Sequence, residues 1–380
     1  MPQCSVRLMR ATMPFVLSVL MLLGVAPGAR GVQAQIWAAG IVGATLSPAI
    51  SLSAPSGGVG TSANLSGHGF LASDSLSVTF DGTRVTSCAA DVAGNLMSCP
   101  LIIPTESAGA HNVVVSDSAG NAASVPFTIV PVLILSTAAG SVGGRALVAG
   151  RGFAAFALIS IAFDGTRVAF CAADALGTLS VCAFTVPVVG AGVHSIQATD
   201  SSGDVASASF SVIPAISLAA GAGGQSAVLW GWGFAALGTV AVTFDGIAVA
   251  SCMTDTAGTL SACTFTVPLS AAGLHSIRAV DSSGHEAIAS FSVSPALGLS
   301  PGAGLVGTRA VVEGRGFAAS RVVKVMFDGV LVTFCATDPR GTLSGCVFVV
   351  PPAGAGAHRV AAIDSSGHAV SLPFTITTIT

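Results

Sequence analysis

Four near-copies of one pattern divide this chain, and a repeat of such length restricts the fold to a string of small, similar units. GxGF ends at Phe70, Phe153, Phe234 and Phe317, and FDG begins at Phe80, Phe163, Phe244 and Phe327, ten positions later each time. Each copy then carries two cysteines eleven positions apart: Cys88 and Cys99, Cys171 and Cys182, Cys252 and Cys263, Cys335 and Cys346. Pro48, Pro131, Pro214 and Pro295 fall at equivalent places and set units of about 83 residues, the size of a seven-stranded sandwich of two packed sheets. The repeat overrides the two or three domains that 380 residues alone would predict.

Composition decides between helix and strand. The chain has 46 glycines, 52% hydrophobic and only 8% charged residues, and beyond the N-terminus no stretch sustains a 3.6-residue period. The prediction is all-β. A formal charge of −3 and one lysine, Lys324, leave no basic stripe for nucleic acid and no polybasic membrane patch. Beyond the N-terminal segment no apolar run reaches the roughly 18 residues of a membrane span.

Arg7 and Arg10 precede an apolar run from Phe15 to Val25, followed by Val32-Gln33-Ala34. Positive, apolar and small-residue regions in that order predict a secretory signal peptide at 1–34. Residues 35–47 match nothing later and are expected to be a linker, an edge strand or a strand that pairs with a neighbouring molecule. The units then run 48–131, 132–214, 215–295 and 296–380. Of nine cysteines, Cys4 lies in the signal segment and eight fall two to a repeat, which predicts export and one disulfide per unit rather than a zinc site with close-set thiols.

Within the first unit AISLS (49–53) reads as a strand, PSGGVG as a turn, and TSANLSGHGF as a second strand whose glycines predict a bulge or bend. Leu76, Val78 and Phe80 alternate before Asp81-Gly82, a type I′ hairpin signal that sets Phe80 opposite Thr83 and Val78 opposite Val85. Asp91-Val92-Ala93-Gly94 predicts a turn closing a second hairpin, and DSAG or DSSG from Asp117, Asp200, Asp281 and Asp364 another. Seven strands per copy are expected.

Parity along the strands conflicts around the cysteines. In the second unit Val168 and Phe170 would share the inner face and turn Cys171 outward, whereas Phe184 and Val186 place Cys182 inward. A break in the pleat between Phe170 and Asp174, by a bulge or a crossing between sheets, resolves it. Pairing within the repeat closes a loop of about a dozen residues, worth roughly 3 kcal/mol.

Candidate chemistry is sparse. His111, His194, His275 and His358 repeat beside aspartates, but no nucleophile elbow accompanies them, so each is expected to start a strand and hydrogen-bond a neighbouring turn. Asp200 and Asp204 come nearest to a calcium set and fall short of the six to eight oxygens required; no cofactor or metal is expected. Trp230 and Trp232, two apart in LWGWGF, share one face of a regular strand and form a candidate ligand patch able to stack on sugar rings.

The succession GxGF, FDG, D-x-x-G, VP, AGxH and DSSG resembles tandem bacterial surface repeats related to IPT/TIG immunoglobulin-like domains over nearly all of 48–380. The resemblance implies four tandem immunoglobulin-like β-sandwiches in a secreted or cell-surface stalk or adhesion module. The repeats lack the Cys…Trp…Cys spacing of antibody domains, which removes antibody-type binding loops as a guide. The function expected is non-enzymatic: a stalk or adhesive module on the order of 120–160 Å long. The alternatives are a carbohydrate- or protein-binding module with sites along the rod, or a self-assembling envelope layer. The partner expected is an unknown surface ligand or a second copy.

Overall fold

The computed structural model describes residues 47–378; the signal segment, Cys4 and residues 35–46 lie outside the described part. Within it every regular element is a β-strand. The first unit shows the plan with eight strands: β1 Ala49–Leu52, β2 Ser56–Gly57, β3 Ser62–His68, β4 Ser75–Phe80, β5 Thr83–Ala89, β6 Leu96–Ile102, β7 Gly109–Ser116 and β8 Ala122–Ile129. They form a three-stranded sheet, β1-β3-β6, packed on a five-stranded sheet, β2-β8-β7-β4-β5. The plan repeats over Val132–Val212, Ala215–Val293 and Ala296–Ile376, and the chain is four immunoglobulin-like β-sandwiches in tandem.

The strand count differs from seven because of β2. The stretch PSGGVG is not only a turn, since Ser56 and Gly57 pair in parallel with Thr128 and Ile129, moving the chain from one sheet edge to the other. The third unit has seven strands and reduces this element to a single bridge between Gly221 and Val293.

Each sandwich has its own core, built from the alternating inner positions of both sheets. In the first, Leu65, Leu76, Val78 and Leu96 are fully or almost fully buried beside Phe80 and Phe127, whose rings meet edge to face at 6.3 Å. In the second, Phe163, Phe184 and Phe210 pack as a trio with centroids 6.2 to 6.3 Å apart. Burial of one such ring contributes about 1.5–3 kcal/mol.

Two bulges set the register. Phe80 opposes Thr83 across the Asp81-Gly82 turn, whose φ values of 47° and 82° are those of a type I′ hairpin. Val78, however, opposes Thr86, and Thr79 opposes Arg84, so Val85 is an extra residue in β5. The second bulge lies across from the glycine-bearing strand rather than within it. Leu65 faces Cys99 and Gly67 faces Leu96, which leaves Met97 and Ser98 both opposite Ser66, and both exposed.

These bulges correct the parity argument. In the second unit Val168 is the extra residue, since Ile161 opposes Ala169 and Ala162 opposes Arg167. The pleat therefore breaks before Phe170, not after it. Phe170 is 52% exposed and lies under the Arg167 guanidinium at 4.5 Å, while Cys171 turns toward the core. The crossing between sheets expected near there is also present, just after Ala172, in place of the second hairpin. Thr166–Ala172 edges the five-stranded sheet and Leu179–Thr185 edges the three-stranded one, so the chain crosses between sheets there.

Candidate functional site

Disulfides join Cys88 to Cys99, Cys171 to Cys182, Cys252 to Cys263 and Cys335 to Cys346, each with Cα atoms 5.8 Å apart. Each ties an edge strand of one sheet to an edge strand of the other beside the crossing. Of the two cysteines in the second unit, Cys182 is buried and Cys171 packs against the core from a partly buried position.

The recurring histidines are tied to the hairpin turn. His111 Nδ1 lies 2.6 Å from Asp81 Oδ2, and its Nε2 lies 2.9 Å from the carbonyl of Ser107. Asp81 Oδ1 also accepts the backbone N–H of Asn112 at 2.8 Å. That bond, with the His111 bond second, holds the Asp81 carboxyl below the usual carboxylate range. His194 with Asp164, His275 with Asp245 and His358 with Asp328 repeat the 2.6 Å contact. The ring of each histidine packs on the FDG phenylalanine, 5.1 Å between centroids for Phe80 and His111. Among the described residues no serine or cysteine side chain hydrogen-bonds to these pairs. They fasten the hairpin turn to the loop four residues before the histidine.

That loop is where one sandwich meets the next. Ala108 N–H donates to the carbonyl of Phe153 at 3.0 Å, Ala191 to that of Phe234 at 3.1 Å, and Ala272 to that of Phe317 at 2.9 Å. The acceptor belongs in each case to the GxGF of the following unit. Gly177 makes the approach possible: its φ of +68° is left-handed, and a Cβ there would run into the Phe153 carbonyl and the Ser107 backbone.

The DSSG aspartates are buried staples. Asp200 Oδ1 accepts the N–H groups of Ser202 and Asp204, and Oδ2 accepts that of Ala154 at 2.8 Å. The carboxylate that would have anchored calcium is thus occupied by backbone donors. Asp204 is pushed up, first by burial and then by the Asp200 charge. Among the described residues no three His, Cys, Asp or Glu side chains gather as a metal set.

Trp230 and Trp232 lie on the strand Ser226–Trp232, central in the third unit's three-stranded sheet. Ala227, Leu229 and Gly231 point inward and both tryptophans outward, Trp230 being 44% exposed and Trp232 half-buried. Ser217 pairs with Trp230 and Ala215 with Trp232. At the same place in the first and fourth units this sheet face bears shallow grooves of about 520 and 390 Å³. Ser66 and His68 occupy the tryptophan positions in the first, Glu313 and Arg315 in the fourth.

The chain matches no protein-family model and no curated protein. Among solved structures it is similar to a tetra-tandem repeat from the extending region of a large adhesion protein (18% identity over 87% of this chain and 99% of that one, TM-score 0.23). It is also similar to invasin, a bacterial integrin-binding protein (12%, covering 87% and 79%, TM-score 0.22). A third is the SGBP-B protein of a Bacteroides ovatus mixed-linkage glucan utilization locus in complex with a mixed-linkage heptasaccharide (14%, covering 85% and 98%, TM-score 0.25). Likeness at this level assigns no role to any residue of this chain. No helix among the described residues is long and apolar enough to cross a membrane.

Proposed function

We propose that this chain is an exported, non-enzymatic structural array, a stalk or adhesive module of IPT/TIG-like units bounded at 131, 214 and 295. The supporting observation is the junction: the same alanine N–H meets the same GxGF carbonyl of the following unit at all three joints. Only two residues, Val130 and Pro131, separate the last strand of the first unit from the first strand of the second, too short a spacer for free rotation. Invariant residues serve turns, cores and staples, as expected of a scaffold. Four disulfides fit an oxidising compartment outside the cytosol.

Small-angle scattering of residues 35–380 tests the reading. A rod on the order of 120–160 Å is expected from four end-to-end sandwiches, and a compact globule overturns it. A second reading, a binding module, is favoured by one feature only, the outward tryptophan pair of the third unit.

A further inference from the structure

On the three-stranded face the four copies differ in chemistry while keeping one backbone. The inner residues are alike in all units, whereas the last two outward positions of the GxGF strand read Ser66 and His68, Ala149 and Arg151, Trp230 and Trp232, Glu313 and Arg315. A scaffold alone gives no reason to set indoles in water at one copy. Tryptophan is scarce in the chain, three in all, and two of them stand here.

A bulge borders this face. Leu229 opposes Cys263 and Gly231 opposes Leu260, so Ser261 and Ala262 both stand opposite Trp230. Ala262 takes a left-handed φ of 49°, and Ser261 and Ala262 are both exposed. This bulge flanks Trp230 on one side, and Ser217 on the neighbouring strand flanks it on the other. In the first and fourth units the corresponding bulge borders the grooves described above. The two residues are spaced about 6.8 Å along the strand backbone, on the order of one sugar unit.

The chemistry of the face selects its occupant. The strands of this sheet carry no charged side chain, their outward polar groups being hydroxyls such as Ser217, Ser261 and Thr264. Trp230 and the half-buried Trp232 stand outward on it, with no charged group among the strands to pair with an ionic partner. An outward indole pair on a sheet whose outward polar groups are neutral hydroxyls matches the C–H faces and hydroxyl edges of a pyranose chain. We infer that the Trp230–Trp232 face binds a neutral polysaccharide, with Trp230 as the stacking platform. This inference deepens the binding-module reading and is independent of the rod.

Affinity electrophoresis of the whole exported chain tests it, in gels containing mixed-linkage β-glucan, xylan, mannan or polygalacturonate. Retardation by at least one neutral polymer is expected. It should weaken about tenfold in Trp230→Ala, a loss typical of one stacking contact, and recover in large part in Trp230→Phe. Near-UV circular dichroism verifies that the variants keep their packing. No retardation in any neutral gel, or retardation unchanged in the Trp230→Ala/Trp232→Ala double variant, overturns the proposal. So does retardation by polygalacturonate alone, which would place an anion site elsewhere. Because this binding assay and the scattering measurement read different properties, either reading can fail without the other.

Discussion

Asp200 Oδ2 accepts the backbone N–H of Ala154 at 2.8 Å, across 46 residues of chain. Asp117 with Leu71, Asp281 with Ala235 and Asp364 with Ala318 do the same. One carboxylate thereby closes its own turn and pins the loop after GxGF, whose phenylalanine carbonyl receives the preceding unit. Asp200→Ala should destabilise the second sandwich by about 2–3 kcal/mol, the cost of losing a charged acceptor and leaving a part-buried donor unpaired. Asp200→Asn should cost less, because one oxygen still accepts from the turn while the amide presents a donor to Ala154. Denaturant unfolding of the variants measures both.

The disulfides span the place where each sandwich changes sheets, so they act on local closure rather than on the array. Replacing Cys171 and Cys182 together by alanine should lower the stability of the second unit by roughly 3 kcal/mol and leave the other three transitions unmoved. Differential scanning calorimetry resolves whether one transition shifts or all do.

The repeat, the all-β class, the type I′ turn and the histidine-to-turn contact follow from letters whose physical meaning is local: Asp-Gly for positive φ, alternation for strand faces, a fixed interval for the unit. The bulges do not. Val85 and Val168 are good strand residues at positions where nothing marks a doubled step. Parity around Cys171 could reveal that the pleat breaks but not that it breaks before Phe170. The second acceptor role of Asp200 is equally silent in sequence, since its partner Ala154 contributes only a backbone N–H. Trp230 and Trp232 were legible as sharing one face because alternation alone determines that, but neither the direction of that face nor the bulge beside it at Ser261 and Ala262 was.

Glycines of the same left-handed φ should differ in cost according to what surrounds them. Gly165, at φ +79°, has open space where a Cβ would go, and Gly177, at +68°, has the Phe153 carbonyl. Gly165→Ala should therefore cost about 1–2 kcal/mol, the strain of a left-handed alanine. Gly177→Ala adds a collision at the joint and should cost more than about 3 kcal/mol. Hydrogen exchange at the Ala108 amide separates the two, with faster exchange expected in Gly177→Ala and none in Gly165→Ala.

The histidine contacts give the fourth unit a pH dependence with a definite sign. His358 Nδ1 lies 2.6 Å from Asp328 Oδ2 and Nε2 lies 2.7 Å from the Gly354 carbonyl. Both partners accept, so only the doubly protonated ring donates to both. The bond to Asp328, then that to Gly354, raises His358 above its ordinary 6.5. Asp328 is lowered from 3.8, first by the Arg359 N–H and then by His358. A raised cation stabilises the fold fully below its unfolded value and loses that contribution as pH rises through the folded one. A lowered carboxylate does so above its unfolded value and loses it as pH falls. The pair therefore stabilises most between the ordinary values 3.8 and 6.5. The stability gap between the native chain and His358→Gln should be widest in that window and narrow toward pH 9, because the native ring gives up its second donor while glutamine does not titrate. Urea unfolding of the two proteins at three pH values reads it, and a gap that is constant or widens with pH would contradict the paired-acceptor geometry as the source of stability.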